Sequence, residues 1–180
     1  MKAIVCPRYG SADVLELQDV IKPTPNDNEV LVKVYAASVN AGDWHLMRAD
    51  PFVMRLIFGF FKPKQPILGS DFAGRVEAVG KNVTQFNVGD EVFGSSPTFG
   101  SFAEFVTTPE DNLVLKPANV TFEQAAATPV AGLTALQGLR DHGKLRAGHK
   151  VLINGASGGV GSFAVQIAKA LGAEVTAMSS

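Results

Sequence analysis

The segment VLINGASGGVGSFAVQIAKALGAEVTAMSS, residues 151–180, constrains the fold more than any other part of the chain. A short apolar strand, VLIN, is followed at once by a glycine-rich loop. The next residues place Phe163, Ile167 and Leu171 at helical spacing, and AEVTAM then has strand character. A strand, a glycine loop, a helix and a second strand in this order predict one βαβ unit of a parallel sheet. The end of the chain therefore begins an α/β domain.

The glycine loop has the context of a dinucleotide fingerprint, because it joins a strand to a helix. Gly158 allows the backbone to approach a pyrophosphate, and Gly161 allows the helix to pack closely on the strand. The helix N-terminus adds N–H groups and a positive dipole end. The predicted phosphate-binding residues are Ala156, Ser157, Gly158, Gly159, Val160 and Gly161. An ordinary structural turn is the alternative reading of the same glycines.

The end of the second strand bears on cofactor choice. NAD-binding domains place Asp or Glu there to hold the ribose 2′-hydroxyl, whereas this chain has Ser179 and Ser180. Serine carries no charge that would repel a 2′-phosphate, and its hydroxyl can donate to one. We therefore predict NADPH as the cofactor, with Ser179 at the adenosine ribose.

The first 110 or so residues show β character. Runs such as EVLVKVYAASVN alternate with turns rich in Gly, Pro, Asn and Asp, which predicts a barrel or sandwich of short strands. Asn40 is a good cap for a short helix through AGDWHLMR. The apolar segment PFVMRLIFGFF, residues 51–61, is too short to span a membrane. It predicts a partly buried loop or helix, or alternatively an apolar lip over a substrate pocket.

The sequence pattern changes from strand-like to helical near residue 120. Thr121 and Gln124 have the spacing of a capping box, Pro129 should end or kink that helix, and Gly143 should end the next one. We accordingly predict a domain at residues 1–120 and the incomplete beginning of a cofactor domain at residues 121–180.

Composition limits the classes of partner. The net charge is −1 with interspersed signs, so neither nucleic acid nor a polybasic membrane anchor is expected. The single cysteine, Cys6, cannot form an intrachain disulfide or a thiolate zinc cluster. The N-terminus lacks the pattern of a signal peptide. A cytoplasmic protein is the expectation.

Taken with these features, the motifs AASVNAGDWHLMR, PILGSDFAGRVEAVGKNVTQFNVGDEVFG, AAATPVAGLTAL and GASGGVGSFAVQIAKALGAEV resemble the zinc-free, quinone oxidoreductase-like branch of the medium-chain dehydrogenase/reductases. The resemblance covers essentially the whole chain. It implies a fold of the α/β plus β class: a GroES-like β-barrel catalytic domain followed by the start of a Rossmann fold.

The resemblance also implies an activity and a set of site residues. The activity is hydride transfer from NADPH to a small hydrophobic quinone or an activated C=C or C=O bond. Asn40 and Thr134 are expected at the nicotinamide, and Asp43 at the floor of the substrate site. The candidate catalytic residues are Asn40, Asp43 and His45. A metal is not expected, because Asn40, Ser70 and Asp71 stand where zinc-dependent relatives have Cys, His and Glu.

The chain stops after one βαβ unit, whereas a doubly wound sheet uses two βαβαβ halves. We therefore expect a truncated reductase, weakly active or inactive by itself and prone to self-association, with homo-oligomers possible. Two alternatives stay open. One is a catalytically inactive binding or interaction module, and the other is an enzyme resembling zinc alcohol dehydrogenases.

Overall fold

The computed structural model describes residues 1–179, which form two compact units, one of Met1–Ala127 and the other from Thr128 onward. The helix with the Thr121 capping box lies in the first unit, which ends seven residues beyond residue 120. The predicted domain boundary at residue 120 stays a prediction.

The first unit is mainly β. Its strands are β1 (Lys2–Val5), β2 (Glu16–Asp19), β3 (Glu29–Ala37), β4 (Asp71–Val79), β5 (Glu91–Ser95), β6 (Phe105–Pro109) and β7 (Leu113–Leu115). Its helices are α1 (Ala41–Arg48), α2 (Met54–Phe58) and α3 (Phe122–Ala126), with short 3-10 turns at Ala12–Val14 and Glu110–Asn112.

Five strands form one antiparallel sheet in the order β6-β3-β4-β5-β7, and β1 pairs with β2. The strands β6 and β7 lie at opposite ends of this order, so the sheet is not closed on itself among the described residues. Isolated bridges from Ala3 to Ala103 and from Val5 to Ile67 attach β1 to the connecting segments. The prediction of a β domain of short strands is confirmed, and its five-stranded sheet is open.

Both faces of the central strand β4 are buried. Phe72 and Ala73 are consecutive and therefore point to opposite faces of the sheet. Phe72 belongs to the main core, which also contains Val30, Val32, Val76, Phe86, Val92, Val106 and Leu113. Ala73 instead contacts Ala125 and Ala126 of α3. The predicted capping box starts this helix, because Thr121 Oγ1 accepts from the Gln124 N–H and Gln124 Oε1 accepts from the Thr121 N–H.

A second core anchors α1 and α2. Cys6, Val14, Leu46, Met47 and Leu68 are buried together, and Met54 and Phe58 pack against them. Cys6 is thus a packed core residue, as the sequence predicts. The helix predicted after Asn40 is confirmed as α1.

The second unit contains α4 (Pro129–Leu136), a π-helical turn (Gln137–His142), β8 (Lys150–Asn154), α5 (Gly159–Ala170) and β9 (Glu174–Met178). The helix α3 ends at Ala126, before Pro129, which agrees with the prediction that this proline ends or kinks that helix. Pro129 itself is the first residue of α4, a position where its missing N–H costs nothing. Gly143 ends the helical segment, as predicted. The strands β8 and β9 are parallel, and Ala135, Ile153, Ala164 and Ala168 form the core against them. The βαβ prediction is confirmed.

Candidate functional site

The start of α1 carries the first two candidate residues. Asn40 is its N-cap, with extended backbone angles of φ −112° and ψ 161°. Asp43 is the third helical residue, and its Oδ2 accepts a hydrogen bond of 2.7 Å from the Asn40 N–H. An acidic side chain here satisfies a backbone donor at the helix N-terminus and complements the helix dipole. The capping chemistry therefore brings Asn40 and Asp43 together.

Asp43 is 4% exposed, and its second oxygen also has a partner. Oδ1 accepts from the Gly69 N–H at 3.1 Å. Gly69 has φ +84°, and a Cβ at this position would lie 2.4 Å from both Ser101 Oγ and the Phe102 ring. Only glycine can adopt this conformation in this space without strain.

The pKa of the Asp43 carboxyl is raised from its ordinary value of 3.8, chiefly because burial disfavours the charged form. The hydrogen bonds from the Asn40 and Gly69 N–H groups act in the opposite direction, and the nearby Asp71 adds to the rise. Burial is the largest of these causes. Asp43 is thus a carboxyl that holds its proton more tightly than an exposed aspartate does.

Asp71, the first residue of β4, is fully buried beside this helix start. Its Oδ2 lies 3.2 Å from Asn40 Nδ2, and its carbonyl oxygen accepts from the Ser38 N–H at 3.2 Å. A carboxylate can only accept, so the contact orients the amide group of Asn40 with its nitrogen towards Asp71. The same nitrogen lies 3.5 Å from Ser38 Oγ. Asn40, Asp43 and Asp71 therefore form one polar cluster.

His45 makes its hydrogen bond beyond the C-terminal end of the same helix. Its Nδ1 lies 2.7 Å from the carbonyl oxygen of Asp50. Because a carbonyl only accepts, Nδ1 is the donor in this contact, and its proton is used to hold the chain after α1. The half-buried ring also meets Trp44 edge-on, with centroids 4.7 Å apart. The contacts of His45 are those of a capping residue, and its role as proton donor remains a prediction.

The glycine loop lies in the second unit, at the carboxyl end of β8. Gly155 has φ +72°, and the Ala156 N–H donates to the Met178 carbonyl at 3.0 Å. Gly158 is the N-cap of α5, and Ser157, Gly158, Gly159 and Val160 are all exposed. The loop thus presents exposed backbone at the N-terminus of a three-turn helix, where the first N–H groups have no intrahelical acceptor.

Gly161 is buried, in contrast to the rest of the loop. A Cβ at this position would lie 2.1 Å from the Gly155 carbonyl oxygen and 2.7 Å from Ala156 Cα. The helix therefore approaches the loop so closely that no side chain fits. This is the packing role that the sequence predicts for the last glycine of the fingerprint.

Thr134 and Ser179 are the other cofactor candidates. Thr134 is exposed on α4, and its hydroxyl donates to the Val130 carbonyl at 2.6 Å. Its only proton is thereby used within the helix, so towards a ligand Thr134 can act as an acceptor. Ser179 is exposed directly after β9, beside the loop, because Asn154 and Met178 are paired in register. Ser180 lies outside the described residues.

Within residues 1–179, no group of three or more His, Cys, Asp or Glu side chains is arranged to hold a metal ion. No helix in this range is long and apolar enough to cross a membrane.

Two contacts of the site were not predicted from the sequence. Gly69 supplies the second donor to Asp43, and Asp71 orients Asn40 from 31 residues away. The segment GSDFAG contained a signal, since an aspartate in a strand that is otherwise apolar requires a buried polar partner. Gly155, whose positive φ starts the glycine loop, precedes the six residues that the fingerprint predicts.

Comparison with known proteins agrees with these features. Residues 26–118 match the family described as Alcohol dehydrogenase GroES-like domain, which defines the class of protein. The quinone oxidoreductase of Sus scrofa is 40% identical over 176 residues, which cover 97% of this chain and 51% of that protein. The solved quinone oxidoreductase of Coxiella burnetii shares 38% identity with a TM-score of 0.91, covering 100% of this chain and 56% of the other.

The Escherichia coli quinone oxidoreductase, solved in complex with NADPH, shares 30% identity with a TM-score of 0.86, over 99% of this chain and 52% of the other. The chain belongs to the family of proteins with an alcohol dehydrogenase GroES-like domain, and these similar proteins are quinone oxidoreductases. It spans about half the length of the curated relatives it matches.

Proposed function

We propose that the protein is an NADPH-dependent, zinc-free oxidoreductase of the cytoplasm that transfers a hydride to a quinone or to an activated C=C or C=O bond. Membership of a family of oxidoreductases supports the reaction class. The single observation that carries the proposal is the exposed glycine loop between β8 and α5, where Gly161 permits close packing and leaves room for a diphosphate on the helix N-terminus.

The residues present fit a dinucleotide. Ser157, Gly158, Gly159 and Val160 are exposed, so their backbone is accessible to phosphate oxygens. At Gly158 an added Cβ would meet its nearest neighbour, the Gly155 carbonyl oxygen, at 3.4 Å, so the space above the loop is open. Phosphates at a helix N-terminus accept from backbone N–H groups and interact favourably with the helix dipole.

The choice of NADPH over NADH rests on Ser179. This side chain is exposed at the carboxyl end of β9, next to the phosphate loop. An acidic residue there would bind a 2′-hydroxyl and repel a 2′-phosphate, whereas a serine hydroxyl can donate to the phosphate. The E. coli relative was solved in complex with NADPH, which supports NADPH as a ligand of this fold.

On the substrate side, we propose that Asn40 and Thr134 contact the nicotinamide and that Asp43 maintains the loop beneath the substrate. When bound, the cofactor supplies the hydride. Asp71 fixes the amide of Asn40, and Asp43 fixes the backbone of Asn40 and Gly69. Both carboxylates are engaged in positioning, and the Nδ1 proton of His45 is held by Asp50. We propose that water or a weak acid such as His45 supplies protons for the reduced product, and that the protein contributes mainly by alignment.

Calorimetric titration of the purified protein with NADPH and with NADH tests the proposal. We expect micromolar binding of NADPH, clearly tighter than that of NADH, followed by NADPH oxidation when quinones or enones are added. Binding of neither nucleotide by the folded protein would reject the proposal. A concentration-dependent oligomer without nucleotide affinity would favour the interaction module, and one tightly held zinc per chain would favour the zinc-dependent alternative.

A further inference from the structure

The short helix α2 and its flanking turns expose an unusual amount of apolar surface. Six large side chains are between 50% and 87% exposed, and we call them the 52–61 patch: Phe52, Val53, Leu56, Ile57, Phe60 and Phe61. The rings of Phe52 and Phe60 lie 6.2 Å apart and those of Phe60 and Phe61 5.1 Å apart. The exposed side chains are thus contiguous, which scattered surface hydrophobics are not.

The helix is apolar on both sides. Met54 and Phe58 point inward, where they pack against the core around Leu46 and Leu68. Leu56 and Ile57 point outward and are 68% and 65% exposed. The outward side of a surface helix in water is ordinarily polar. The buried side accounts for the packing of α2 on the first unit, and the outward apolar side chains are not needed for it.

Basic residues flank the patch along the sequence. Residues 44–65 contain four basic side chains and one acidic side chain, Asp50, although the whole chain has a net charge of −1. The basic residues are Arg48, Arg55, Lys62 and Lys64, of which all but the half-buried Arg55 are exposed. Arg48 lies 5.0 Å from the ring of Trp44, which is itself 42% exposed. The net charge of the whole chain does not reveal this local excess of basic residues.

We propose that the 52–61 patch docks on an anionic lipid surface. The apolar side chains enter the boundary between headgroups and acyl chains, and Arg48, Lys62 and Lys64 pair with lipid phosphates and carboxylates. Apolar residues that are rich in phenylalanine and flanked by Lys, Arg and Trp have the composition of an interfacial anchor. Side chains that protrude this far suit a fluid bilayer, which deforms around them. The inference is independent of the proposed catalytic function.

The experiment is co-sedimentation of the purified protein with vesicles of phosphatidylcholine alone and of phosphatidylcholine mixed with phosphatidylserine. We expect binding to the anionic vesicles that weakens with added salt. Trp44 is the only tryptophan of the chain, so a blue shift of its fluorescence gives a second readout.

Three double variants separate the contributions. Phe60→Ser with Phe61→Ser removes part of the apolar surface, and Lys62→Glu with Lys64→Glu reverses the charge. Each should weaken binding to anionic vesicles about tenfold or more. The matched control, Leu17→Ser with Ile21→Ser, removes side chains that are 71% and 93% exposed outside the patch and should bind as the wild type does. Circular dichroism establishes that each variant is folded.

Failure of the wild type to bind anionic vesicles would overturn the proposal, as would equal loss of binding in the control. Self-association that depends on Phe60 and Phe61 without vesicle binding would also overturn it, and would assign the patch to contacts between copies of the chain.

Discussion

The side-chain amide of Asn40 donates to the buried carboxylate of Asp71, with 3.2 Å between Nδ2 and Oδ2. This contact joins the N-cap of α1 to the first residue of β4. The backbone N–H of the same asparagine donates to Asp43. Asn40 is therefore held at its side chain and its backbone by two carboxylates, and its orientation follows from the packing of the first unit.

Replacement of Asn40 by Asp should be more destabilising than replacement by Ala. The aspartate would place a second carboxylate about 3 Å from Asp71, and like charges at this distance cannot both be ionised without cost. We expect a loss of about 1–3 kcal/mol in the free energy of unfolding at pH 7. Urea unfolding at several pH values measures it. The difference between the two variants should shrink as the pH falls, because protonation of either carboxyl removes the repulsion; an unchanged difference would contradict the repulsion.

The raised pKa of Asp43 gives the stability a definite pH dependence. Because the folded state holds this proton more tightly than the unfolded state, the contribution is fully present below the ordinary pKa of 3.8. It is lost as the pH rises through the higher pKa of the folded protein. The stability of the wild type relative to Asp43→Asn should therefore decrease with rising pH, as measured by thermal or urea unfolding.

The exposed Asp13 provides the control for this trend, since Asp13→Asn removes an acidic side chain without the burial. A relative stability that instead increases with pH in the Asp43 comparison would mean that the hydrogen bonds from Asn40 and Gly69 outweigh burial.

Local sequence signals predicted the local structure well. The capping box of Thr121 and Gln124, the helix after Asn40 and the strand–loop–helix–strand unit all depend on residues close together in the chain. Their physical causes, side-chain capping and amphipathic spacing, are visible in short windows.

Long-range relationships were not predictable in the same way. The contact between Asn40 and Asp71 depends on the pairing of β3 with β4, whose register shifts between Val34 and Ala36. No local pattern specifies such a shift. The exposure of Leu56 and Ile57 could not be predicted from the sequence either. An apolar run alone does not show which of its residues will be buried in a core.

Gly161→Ala should disrupt the second unit. The added Cβ would lie 2.1 Å from the Gly155 carbonyl oxygen, so the loop and the helix would have to separate. We expect a loss of about 2–4 kcal/mol in the free energy of unfolding, together with loss of NADPH binding. Thermal unfolding and calorimetry measure the two effects. In Gly138→Ala no atom lies within 4 Å of the added Cβ, so this control should retain both properties.

Gly158→Ala separates binding from folding at the same loop. The backbone of Gly158, with φ −75° and ψ 171°, suits alanine, and the nearest atom to the added Cβ is 3.4 Å away. The variant should therefore unfold at nearly the wild-type temperature. Its methyl group would occupy the open side of the loop and weaken NADPH binding about tenfold or more. Unchanged affinity would place the diphosphate elsewhere.

Ser179→Asp should reverse the preference between nucleotides. A carboxylate at the carboxyl end of β9 would repel a 2′-phosphate and accept from a 2′-hydroxyl. We expect the Kd for NADPH to increase about tenfold or more, whereas the Kd for NADH stays constant or decreases. Ser179→Ala is the matched control: it removes the hydroxyl without adding charge and should weaken NADPH binding only modestly, leaving NADH binding unchanged. Parallel calorimetric titrations of both variants distinguish the outcomes. Equal effects of Ser179→Asp on the two nucleotides would show that this position does not contact the ribose.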